Sequence, residues 1–599
     1  MMTLMFAHYH AAREELTAPG SRFAVIEIEV RGAPCKVFAA AAANMRALWE
    51  STAVHADKTY LVYEDERYTY ANTAAQVRSL AHLLVDTHGV GSGDRVAIAM
   101  RNYPEWVVAY WATVSVGAAV VGMNAWWTPT EMEFGLLDSA PTVLIADDER
   151  LDRVLPVLDN VRANHPMHII SVRSSQTLPD NSSRWTDVVR PDQAPATLPD
   201  ATIDPDDDVC IFYTSGTTGF PKGAQLTHRG SVHNAMHMGF MSAAAALGAS
   251  KAAAAALGAN KAAAADGTAA TAAAAATAVV VAPAAPPVSM APTPLFHVTA
   301  NNCNLHPVTV NGGTFVLTYK WDAGRALELI ERERVTLFSG VPTMSRELLM
   351  HPDWARRDTS SLQRMGGGGA ALQPDLVGKI DKALANGVPS TGYGLTETSG
   401  IITANSAEYF VAKPASCGPI VPTLDAKLVD EEGNDLTPSP DTVGQLCVRG
   451  AVVVKGYLNR PEATADAIRD GWFNTGDIAR IDEDGFVYIV DRAKDMVLRG
   501  GENVYCSEVE VAIYEHEAVA EAAVFGIPDD RLGEEVGAAV LLRAGASLTE
   551  DGLRTFLAKK LAKYKVPSRV WFLDQPLPRN ANGKFVKRDL REQLLGDER

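Results

Sequence analysis

The chain has 599 residues, of which 54 are basic and 72 are acidic, so its formal net charge is −18. At roughly 150 residues per domain, this length accommodates more than one domain. An acidic chain lacks the basic face of a general nucleic-acid binder, so we expect no nucleic-acid partner. The six cysteines are scattered without a C-x-x-C pair, which argues against a zinc ribbon or a disulfide framework and favours a reducing, cytoplasmic location.

Two stretches bear on membrane association. The N-terminus has no basic segment followed by a sustained apolar run, so we expect no signal peptide. Residues 267–319 contain no Asp, Glu, Lys or Arg, but they carry six prolines among Thr, Asn and Ala. Because a membrane-spanning helix needs ~20 strongly apolar residues, we predict that the protein has no transmembrane segment.

Short Val/Ile/Ala-rich runs alternate with longer amphipathic stretches through most of the chain. The alternation predicts strands at residues 95–100 and 142–146 and helices at residues 105–118 and 340–350. Strands alternating with helices are typical of an α/β fold with a largely parallel sheet.

The pattern changes twice towards the C-terminus. From about residue 423 to 490 the runs become shorter strands with tight turns. After residue 490 an α+β pattern begins, with a helix predicted at 507–517 and a strand at 522–526. We therefore predict an N-terminal domain over residues 1–491 and a C-terminal domain over residues 492–599.

One segment differs from the rest in composition. Residues 242–286 contain 26 alanines and a near-repeat, AAAALGASK followed by AAAALGANK. Alanine favours helix but buries little apolar area, so both a weak helix and a disordered surface loop fit this composition. We interpret the segment as an insertion that the core fold tolerates, because lengthening a surface loop costs little closure entropy.

The strongest functional pattern is residues 213–223, YTSGTTGFPKG, which follow an apolar strand. Glycines let backbone N–H groups turn towards an anion, while hydroxyls and a lysine add donors and charge, so this loop is predicted to bind phosphate. Its spacing is not that of a G-x-x-x-x-G-K-[ST] loop. Thr227 is positioned to cap a helix that begins at His228. The predicted phosphate-binding residues are Thr214, Ser215, Gly216, Thr217, Thr218, Gly219 and Lys222.

A hairpin is predicted where strands 478–481 and 486–490 flank the turn-forming sequence DEDG. If Ile481 faces Phe486, Asp477 lies diagonally across from Arg492 on the same face, at ~7–8 Å. That separation lets both side chains reach one small group.

These motifs resemble those of the adenylate-forming superfamily, which comprises acyl-CoA synthetases, peptide-synthetase adenylation domains and firefly luciferase. The resemblance extends from about residue 49 to residue 590 and omits the alanine-rich segment. It implies a large N-terminal domain of parallel-sheet α/β subdomains with a small β-barrel-like part, followed by a small mobile α+β domain. It also implies ATP and coenzyme A as cosubstrates and Mg²⁺ as cofactor.

The resemblance assigns roles to two further motifs. In residues 366–372, GGGGAAL, it implies that Gly368, Gly369 and Ala370 line the adenine base. In residues 391–397, TGYGLTE, it implies catalytic roles. Gly392 and Tyr393 would bind ATP, Thr396 would contact the α-phosphate, and Glu397 would ligate Mg²⁺, for which carboxylate oxygen is a suitable ligand. The resemblance also implies that Asp477 and Arg492 bind the ribose hydroxyls.

The remaining roles concern the acid, the hinge and the thiol. The resemblance places His297, Val341 and Gly394 at the acyl pocket, Lys494 at the hinge of the C-terminal domain, and Gly500 and Gly501 at the coenzyme A tunnel. It assigns the catalytic lysine to Lys584, on a Gly/Asn-rich loop, where it would neutralise charge that develops between carboxylate and α-phosphate. Cys506 is interpreted as a core or loop cysteine without a catalytic role.

The predicted function is therefore an ATP- and Mg²⁺-dependent carboxylic acid–CoA ligase that acts through an acyl-adenylate and domain alternation. A fatty acid is the expected substrate, although aryl and steroid-derived acids also fit the motifs. Two alternatives remain: an adenylation enzyme that loads a separate carrier protein, and a catalytically silent nucleotide or acyl sensor. The sequence leaves open whether the chain is a monomer or a homodimer.

Overall fold

The computed structural model describes residues 2–214, 221–265, 285–437, 439–500, 502–580 and 585–596. The chain divides into two compact units. The first comprises Met1–Pro414, Gly418–Asp425 and Arg449–Phe473, and the second comprises Ala415–Cys417, Ala426–Val448 and Asn474–Arg599. The expected domain boundary at residues 491–492 lies inside the second unit. Among the described residues, no helix combines the length and apolarity needed to cross a bilayer.

The strands are numbered in chain order. They are β1 Val25–Val30, β2 Ala33–Phe38, β3 Thr59–Tyr63, β4 Glu66–Thr69, β5 Arg95–Ala99, β6 Ala119–Gly122, β7 Val143–Asp147, β8 His168–Val172, β9 Ser182–Arg184, β10 Asp208–Thr214, β11 Lys222–Thr227, β12 Val288–Met290, β13 Thr314–Leu317, β14 Leu337–Gly340, β15 Arg364–Gly367, β16 Val388–Tyr393, β17 Thr403–Ser406, β18 Gly418–Pro419, β19 Leu424–Val429, β20 Gly444–Gly450, β21 Ile468–Arg469, β22 Trp472–Ile481, β23 Phe486–Arg492, β24 Val497–Arg499, β25 Glu502–Val504, β26 Val519–Asp529, β27 Gly533–Leu542 and β28 Arg569–Leu573.

The α-helices are numbered in the same way. They are α1 Met2–Thr17, α2 Met45–Glu50, α3 Tyr70–His82, α4 Pro104–Ser115, α5 Pro129–Ser139, α6 Asp148–Val154, α7 Leu158–Asn164, α8 Trp185–Val188, α9 His228–Ala265, α10 His306–Val310, α11 Ala323–Glu333, α12 Pro342–Met350, α13 Pro374–Ala383, α14 Ala407–Ala412, α15 Pro461–Ala467, α16 Cys506–Tyr514, α17 Glu550–Leu557 and α18 Lys587–Gly596. A 3₁₀ turn at Thr396–Thr398 also bears on the site.

Two sheets form the frame of the first unit. Among the described residues, one sheet has seven strands in the order β11-β10-β6-β5-β7-β8-β9, and the other has eight in the order β17-β16-β15-β14-β12-β13-β3-β4. The interior pairs of both sheets are parallel, and antiparallel pairs stand only at the described edges β10–β11, β16–β17 and β3–β4. The predicted parallel α/β arrangement is thereby confirmed.

Helix α4 lies in the core between these two sheets. It is apolar on all sides, with Trp106, Tyr110 and Trp111 fully buried. Its cluster includes Tyr60 of β3 and Ile98 of β5, one from each sheet. A helix without a polar face is stable only when it is buried on all sides, so the sequence of α4 fixes it between the layers.

Helix α9 begins as predicted. The Thr227 Oγ1 atom accepts a hydrogen bond from the Gly230 backbone N–H over 3.0 Å, which caps the helix. The helix then continues without interruption into the alanine-rich segment as far as Ala265. Of the two alternatives for this segment, its first part is a helix, and residues 266–284 lie outside the described part of the chain.

The second unit contains a sheet with the strand order β23-β22-β20-β19 and another in which β26, β27 and β28 pair side by side. Its apolar cluster joins α16, β26, β27 and α17 through residues such as Val509, Val524, Val540 and Leu553. The predicted strand at 522–526 lies within β26, and the predicted helix at 507–517 corresponds to α16.

Candidate active site

The predicted site residues of the first unit follow the carboxyl ends of adjacent parallel strands. Strands β12, β14, β15 and β16 are neighbours, and each leads directly into a segment predicted to be functional. These segments contain His297 after β12, Val341 after β14, Gly368 after β15 and Glu397 after β16. Ligands of open α/β sheets bind at this edge, so the topology brings together motifs that are far apart in sequence.

Glu397 lies between two hydroxyl groups. Its Oε1 atom accepts hydrogen bonds from the Tyr457 hydroxyl over 2.9 Å and from the Thr214 hydroxyl over 3.4 Å. Burial and the neighbouring Glu397 carboxylate raise the pKa of Tyr457 well above its usual range, so this phenol stays protonated and donates. The carboxylate is held in place before any ligand arrives.

Tyr457 joins the candidate site through a contact with Glu397 that the sequence does not predict. Its segment lies alongside β11, since the Gln225 N–H donates to the Gly456 carbonyl over 3.0 Å and the Leu458 N–H donates to the Gly223 carbonyl over 2.8 Å. The pairing places the Tyr457 ring 5.2 Å from the Lys222 ammonium. Tyr457 and Glu397 are separated by 60 residues, and no spacing pattern in the sequence links them.

The structure describes only the two ends of the predicted phosphate-binding loop. Thr214 ends β10 and Lys222 begins β11, and the two residues are antiparallel partners. Ser215, Gly216, Thr217, Thr218 and Gly219 lie outside the described residues. The described ends of this segment lie close to Glu397, because the Thr214 hydroxyl contacts both the Lys222 carbonyl of β11 and the Glu397 carboxylate.

Two glycines of the predicted motifs are required by close backbone approach. A Cβ atom at Gly367, where φ is +152°, would lie 1.6 Å from the Gly340 carbonyl oxygen. A Cβ atom at Gly394 would lie 1.8 Å from the Gly400 carbonyl oxygen. Only glycine permits such contacts, so Gly394, predicted to line the acyl pocket, packs directly against the turn after Glu397.

The other predicted residues of this edge take varied positions. Gly368 lies beside the Gly392 carbonyl, and Ala370 is exposed. Tyr393 ends β16, and Thr396 begins the 3₁₀ turn that carries Glu397. Val341 is buried as the residue before α12, and the His297 ring lies 4.7 Å from that of Phe296. Gly369 follows Gly368 with a φ of +85°.

In the second unit, Asp477 and Arg492 form an ion pair. The Arg492 Nε atom lies 2.7 Å from Asp477 Oδ1, and the Asp477 side chain is only 2% exposed. The predicted hairpin exists, but its predicted register is wrong. Ile481 faces Val487 rather than Phe486, and a bulge between Ile478 and Ala479 makes Asp477 the direct partner of Arg492. The extra residue of a bulge shifts the register by one.

The residues predicted for the hinge and for coenzyme A binding follow Arg492 closely in the chain. Lys494 is exposed in the turn after β23. Gly500 adopts a φ of +60° and donates its N–H to the Leu532 carbonyl over 2.8 Å, while Gly501 is outside the described residues. Cys506 is a buried core cysteine, as expected, with Sγ 3.0 Å from the Asp495 carbonyl oxygen.

Lys584 also lies outside the described residues, but the base of its loop is described. Arg579 and Phe585 form an isolated antiparallel bridge, and the Val586 N–H donates to the Pro578 carbonyl over 3.0 Å. Arg579 is further held by an ion pair of 2.6 Å with Glu521 of β26. The two ends of the segment are thereby fixed to the second unit.

The described donors fit a magnesium ion held mainly by substrate. In the part of the chain that the structure covers, no three Asp, Glu, His or Cys side chains cluster as a metal cage. Magnesium commonly binds through one or two carboxylates together with substrate phosphates. The Glu397 carboxylate, beside the ends of the predicted phosphate-binding loop, would supply that kind of ligand.

Comparison with known proteins decides the family. The profile described as "AMP-binding enzyme" matches residues 48–458, and the one described as "AMP-binding enzyme C-terminal domain" matches residues 508–584. The chain belongs to the adenylate-forming, AMP-binding enzymes. This membership confirms the predicted family and enzyme class, while the alanine-rich segment of this member lies within the first match.

Named relatives act on different acids. A feruloyl-CoA synthase from an Amycolatopsis species is 34% identical over 530 residues, covering 88% of this chain and 94% of the relative. The long-chain-fatty-acid–CoA ligase of Bacillus subtilis is 32% identical over 567 residues, covering 91% of this chain and 93% of the relative. The anthranilate CoA ligase AuaEII, solved with anthranoyl-AMP, has a TM-score of 0.78 at 26% identity, covering 92% and 98%. The relatives confirm the predicted two-domain fold class but not one acid.

Proposed function

We propose that this member of the family activates a carboxylic acid with ATP and Mg²⁺ and transfers the acyl group to coenzyme A. The observation that carries the proposal is the Glu397 carboxylate, held by Tyr457 and Thr214 next to the two ends of the phosphate-binding loop. A carboxylate fixed beside predicted phosphate donors suits a metal–nucleotide site.

In the first reaction, a carboxylate oxygen of the acid attacks the α-phosphorus of ATP and pyrophosphate leaves. Lys222 and the hydroxyls of residues 214–218 hold phosphate oxygens, and Thr396 contacts the α-phosphate. Glu397 would hold Mg²⁺, which neutralises phosphate charge when bound. Lys584 neutralises charge that grows between the acid and the α-phosphate, while Asp477 and Arg492 bind the ribose.

In the second reaction, the coenzyme A sulfur attacks the acyl carbon and AMP leaves. We propose that the C-terminal domain turns about Lys494 between the reactions, so that the segment with Gly500 and Gly501 replaces the loop of Lys584. Both segments belong to one domain, and alternate placement lets each serve the same acyl group in turn. The acid is proposed to be of the fatty-acid type, with an aliphatic chain attached to the reacting carboxylate, in keeping with the Bacillus subtilis relative.

A screen of acids tests this function directly. The full chain is incubated with ATP, Mg²⁺, coenzyme A and a panel of fatty, aryl and steroid-derived acids, and the thioesters are identified by mass spectrometry. We expect AMP, pyrophosphate and an acyl-CoA from at least one acid, and a Glu397→Gln variant that forms much less. Pyrophosphate release without thioester, restored by a carrier protein, would favour the carrier-loading alternative. No pyrophosphate release with any acid would favour the sensor.

A further inference from the structure

Arg364 is a partly buried cation that the proposed reaction does not use. It is the first residue of β15, in the middle of the eight-stranded sheet between β14 and β16. Its neighbour Met365 packs into the apolar cluster with Leu376 and Ile380 of α13. Because successive side chains of a strand point to opposite faces, Arg364 projects from the other face, where α9 lies.

On that face Arg364 contacts Ser242 of α9. The Arg364 Nη1 atom donates to the Ser242 Oγ atom over 3.1 Å, and that hydroxyl donates in turn to the Met238 carbonyl over 3.3 Å. The serine proton is directed into the helix and a lone pair is directed towards the guanidinium. The two residues therefore form a fixed pair that can donate further hydrogen bonds only from the arginine.

The charge of Arg364 has no counterpart within the described residues. No carboxylate there forms an ion pair with it, and its Nε atom is buried without a hydrogen-bond partner. Burial of the guanidinium lowers the pKa of Arg364. By contrast, the buried Arg150 pairs with Asp147 over 2.5 Å and with Glu149 over 2.8 Å. A buried donor without a partner costs stability, so Arg364 is arranged to meet an acceptor that the described chain does not supply.

The residues around Arg364 are not all fully buried. Arg364 and Ser242 each retain partial exposure, and so do Ser390 and Gly392 of the interior strand β16. Ser390 is the register partner of Gly366, two residues along β15 from Arg364. A strand with neighbours on both sides is exposed only through its faces, so the partial exposure of these residues indicates space on the face of β15 and β16 that carries Arg364.

The face of β15 that carries Arg364 leads towards the candidate active site. Strand β15 runs from Arg364 to Gly367 and leads into Gly368, predicted to line adenine. Three residues of strand span ~10 Å, so Arg364 lies roughly that far from the edge at which the acid would react. A plain fatty tail would reach the guanidinium with nothing to accept its hydrogen bonds.

We propose that Arg364, held in place by Ser242, binds a second carboxylate of the substrate, which makes the acid an α,ω-dicarboxylic acid of medium length. The inference rests on the proposed function and specifies its substrate class. The far carboxylate accepts hydrogen bonds from the guanidinium, and the near carboxylate reacts with ATP. The arrangement selects against acids with an apolar end, because these leave the buried cation unpaired.

Octanedioate and octanoate are matched probes, since they differ only in the far carboxylate. We measure kcat/KM for pyrophosphate release from the full chain and from Arg364→Leu, Arg364→Lys and the exposed control Arg356→Leu. The wild-type chain is expected to prefer octanedioate. Arg364→Leu should lose roughly 10- to 100-fold on octanedioate, the effect of one charged hydrogen-bond partner, and keep or gain activity on octanoate. The kcat/KM of Arg364→Lys on octanedioate should lie between those of the wild type and Arg364→Leu. The kcat/KM of Arg356→Leu should match that of the wild type.

Three outcomes would overturn the inference. If the wild-type chain uses octanoate and shows no preference for octanedioate, the proposed ligase function still holds but the dicarboxylic substrate is excluded. An equal loss on both acids in Arg364→Leu identifies a purely structural arginine. If no acid of any kind is activated, the proposed ligase function fails, and calorimetric titration with octanedioate then decides: binding that Arg364→Leu abolishes supports the anion site, and no binding overturns it.

Discussion

The Tyr457 hydroxyl donates a hydrogen bond of 2.9 Å to Glu397 Oε1, and the same oxygen accepts from Thr214. Each of the three residues comes from a different strand or connection, and each is fixed by backbone pairing rather than by its side chain alone. The carboxylate is thereby held through one oxygen, and in the proposed function Glu397 would hold Mg²⁺ together with the nucleotide phosphates.

Replacing Tyr457 should weaken the site without unfolding it. Tyr457→Phe removes one hydrogen bond to a charged group, so we expect a loss of roughly tenfold or more in kcat/KM for ATP in pyrophosphate release. The Mg²⁺ concentration needed for half-maximal activity should also rise, because the Glu397 carboxylate is less well oriented. Both quantities are measured by varying ATP and Mg²⁺ at a fixed acid concentration.

Tyr488→Phe is the control for that experiment. The Tyr488 hydroxyl also donates to a carboxylate, Asp482 Oδ2, over 3.0 Å, but it lies on the hairpin of the second unit. Equal effects of the two substitutions on ATP use would show that Tyr457 contributes general stability and has no specific part in nucleotide activation.

Asp477 is predicted to matter for nucleotide binding. Asp477→Ala removes a buried carboxylate and leaves Arg492 without its partner at 2.7 Å, so apparent ATP affinity should fall by ~1–3 kcal/mol. The measurement is the KM for ATP, and Glu483→Ala, on the exposed turn of the same hairpin, is the control. An unchanged KM in Asp477→Ala would rule out the ribose role.

The register of this hairpin shows where prediction from sequence ends. The strand pattern and the DEDG turn correctly predict two antiparallel strands and bring Asp477 near Arg492. The bulge leaves Val490 of β23 as the extra residue opposite Ile478 and Ala479, and none of these three residue types predicts a bulge. Local patterns specify elements, whereas bulges depend on how both strands pack.

The same limit applies to the site. The motifs after β15 and β16 predict residues that the fold brings to one sheet edge, because parallel strands align their carboxyl ends. Tyr457 and Arg364 have no such signal, since their significance comes from partners 60 and 122 residues away in the chain. Polar residues that act through tertiary contacts need the structure to be recognised.

Helix α1 and the first part of the alanine-rich segment are packed together. Tyr9 of α1 stacks on Tyr409 with ring centroids 4.4 Å apart, Gly248 of α9 packs against the same two tyrosines, and Lys251 forms an ion pair of 2.6 Å with Glu15. Alanine and glycine let the two helices approach closely. This packing was not apparent from composition.

The accessory role of the alanine-rich segment is accordingly predicted to begin after Lys251. Replacing residues 252–286 with a short Gly/Ser linker should leave adenylation and the melting temperature largely unchanged. Replacing residues 242–286 should lower the melting temperature, because Ala244 is fully buried and Gly248 packs against α1. Loss of all adenylation in the shorter replacement would contradict an accessory role.

Stability should depend on the ionisation of Asp491. Burial raises the pKa of Asp491 from 3.8 to about 6, so the folded chain binds this proton more tightly than the unfolded chain. Between about pH 4 and pH 6 the unfolded chain loses the proton first, and stability falls as the pH rises. The loss reaches about 3 kcal/mol above pH 6.

Asp491→Asn should remove that dependence. The amide oxygen can still accept from the Arg492 N–H, which lies 2.8 Å from Asp491 Oδ1, but no charge is buried. We expect the variant to be more stable than the wild type at pH 7 and equal to it near pH 4, measured by denaturant unfolding across this range. The exposed Asp574→Asn is the control, and a pH profile of Asp491→Asn parallel to that of the wild type would contradict the account.

The two half-reactions test the central claim, which is that one enzyme forms an acyl-adenylate and then passes it to a thiol. The measurement compares Lys584→Ala with the wild type in pyrophosphate release from acid and ATP, and in thioester formation from pre-formed acyl-adenylate and coenzyme A. Lys584→Ala should slow the first step by roughly 100-fold or more, as expected for a charge-stabilising group, and spare the second. Lys494→Pro, with a fixed φ at the proposed hinge, should spare the first step and slow the second. If Lys584→Ala impairs both steps equally, or neither, domain alternation about Lys494 is wrong.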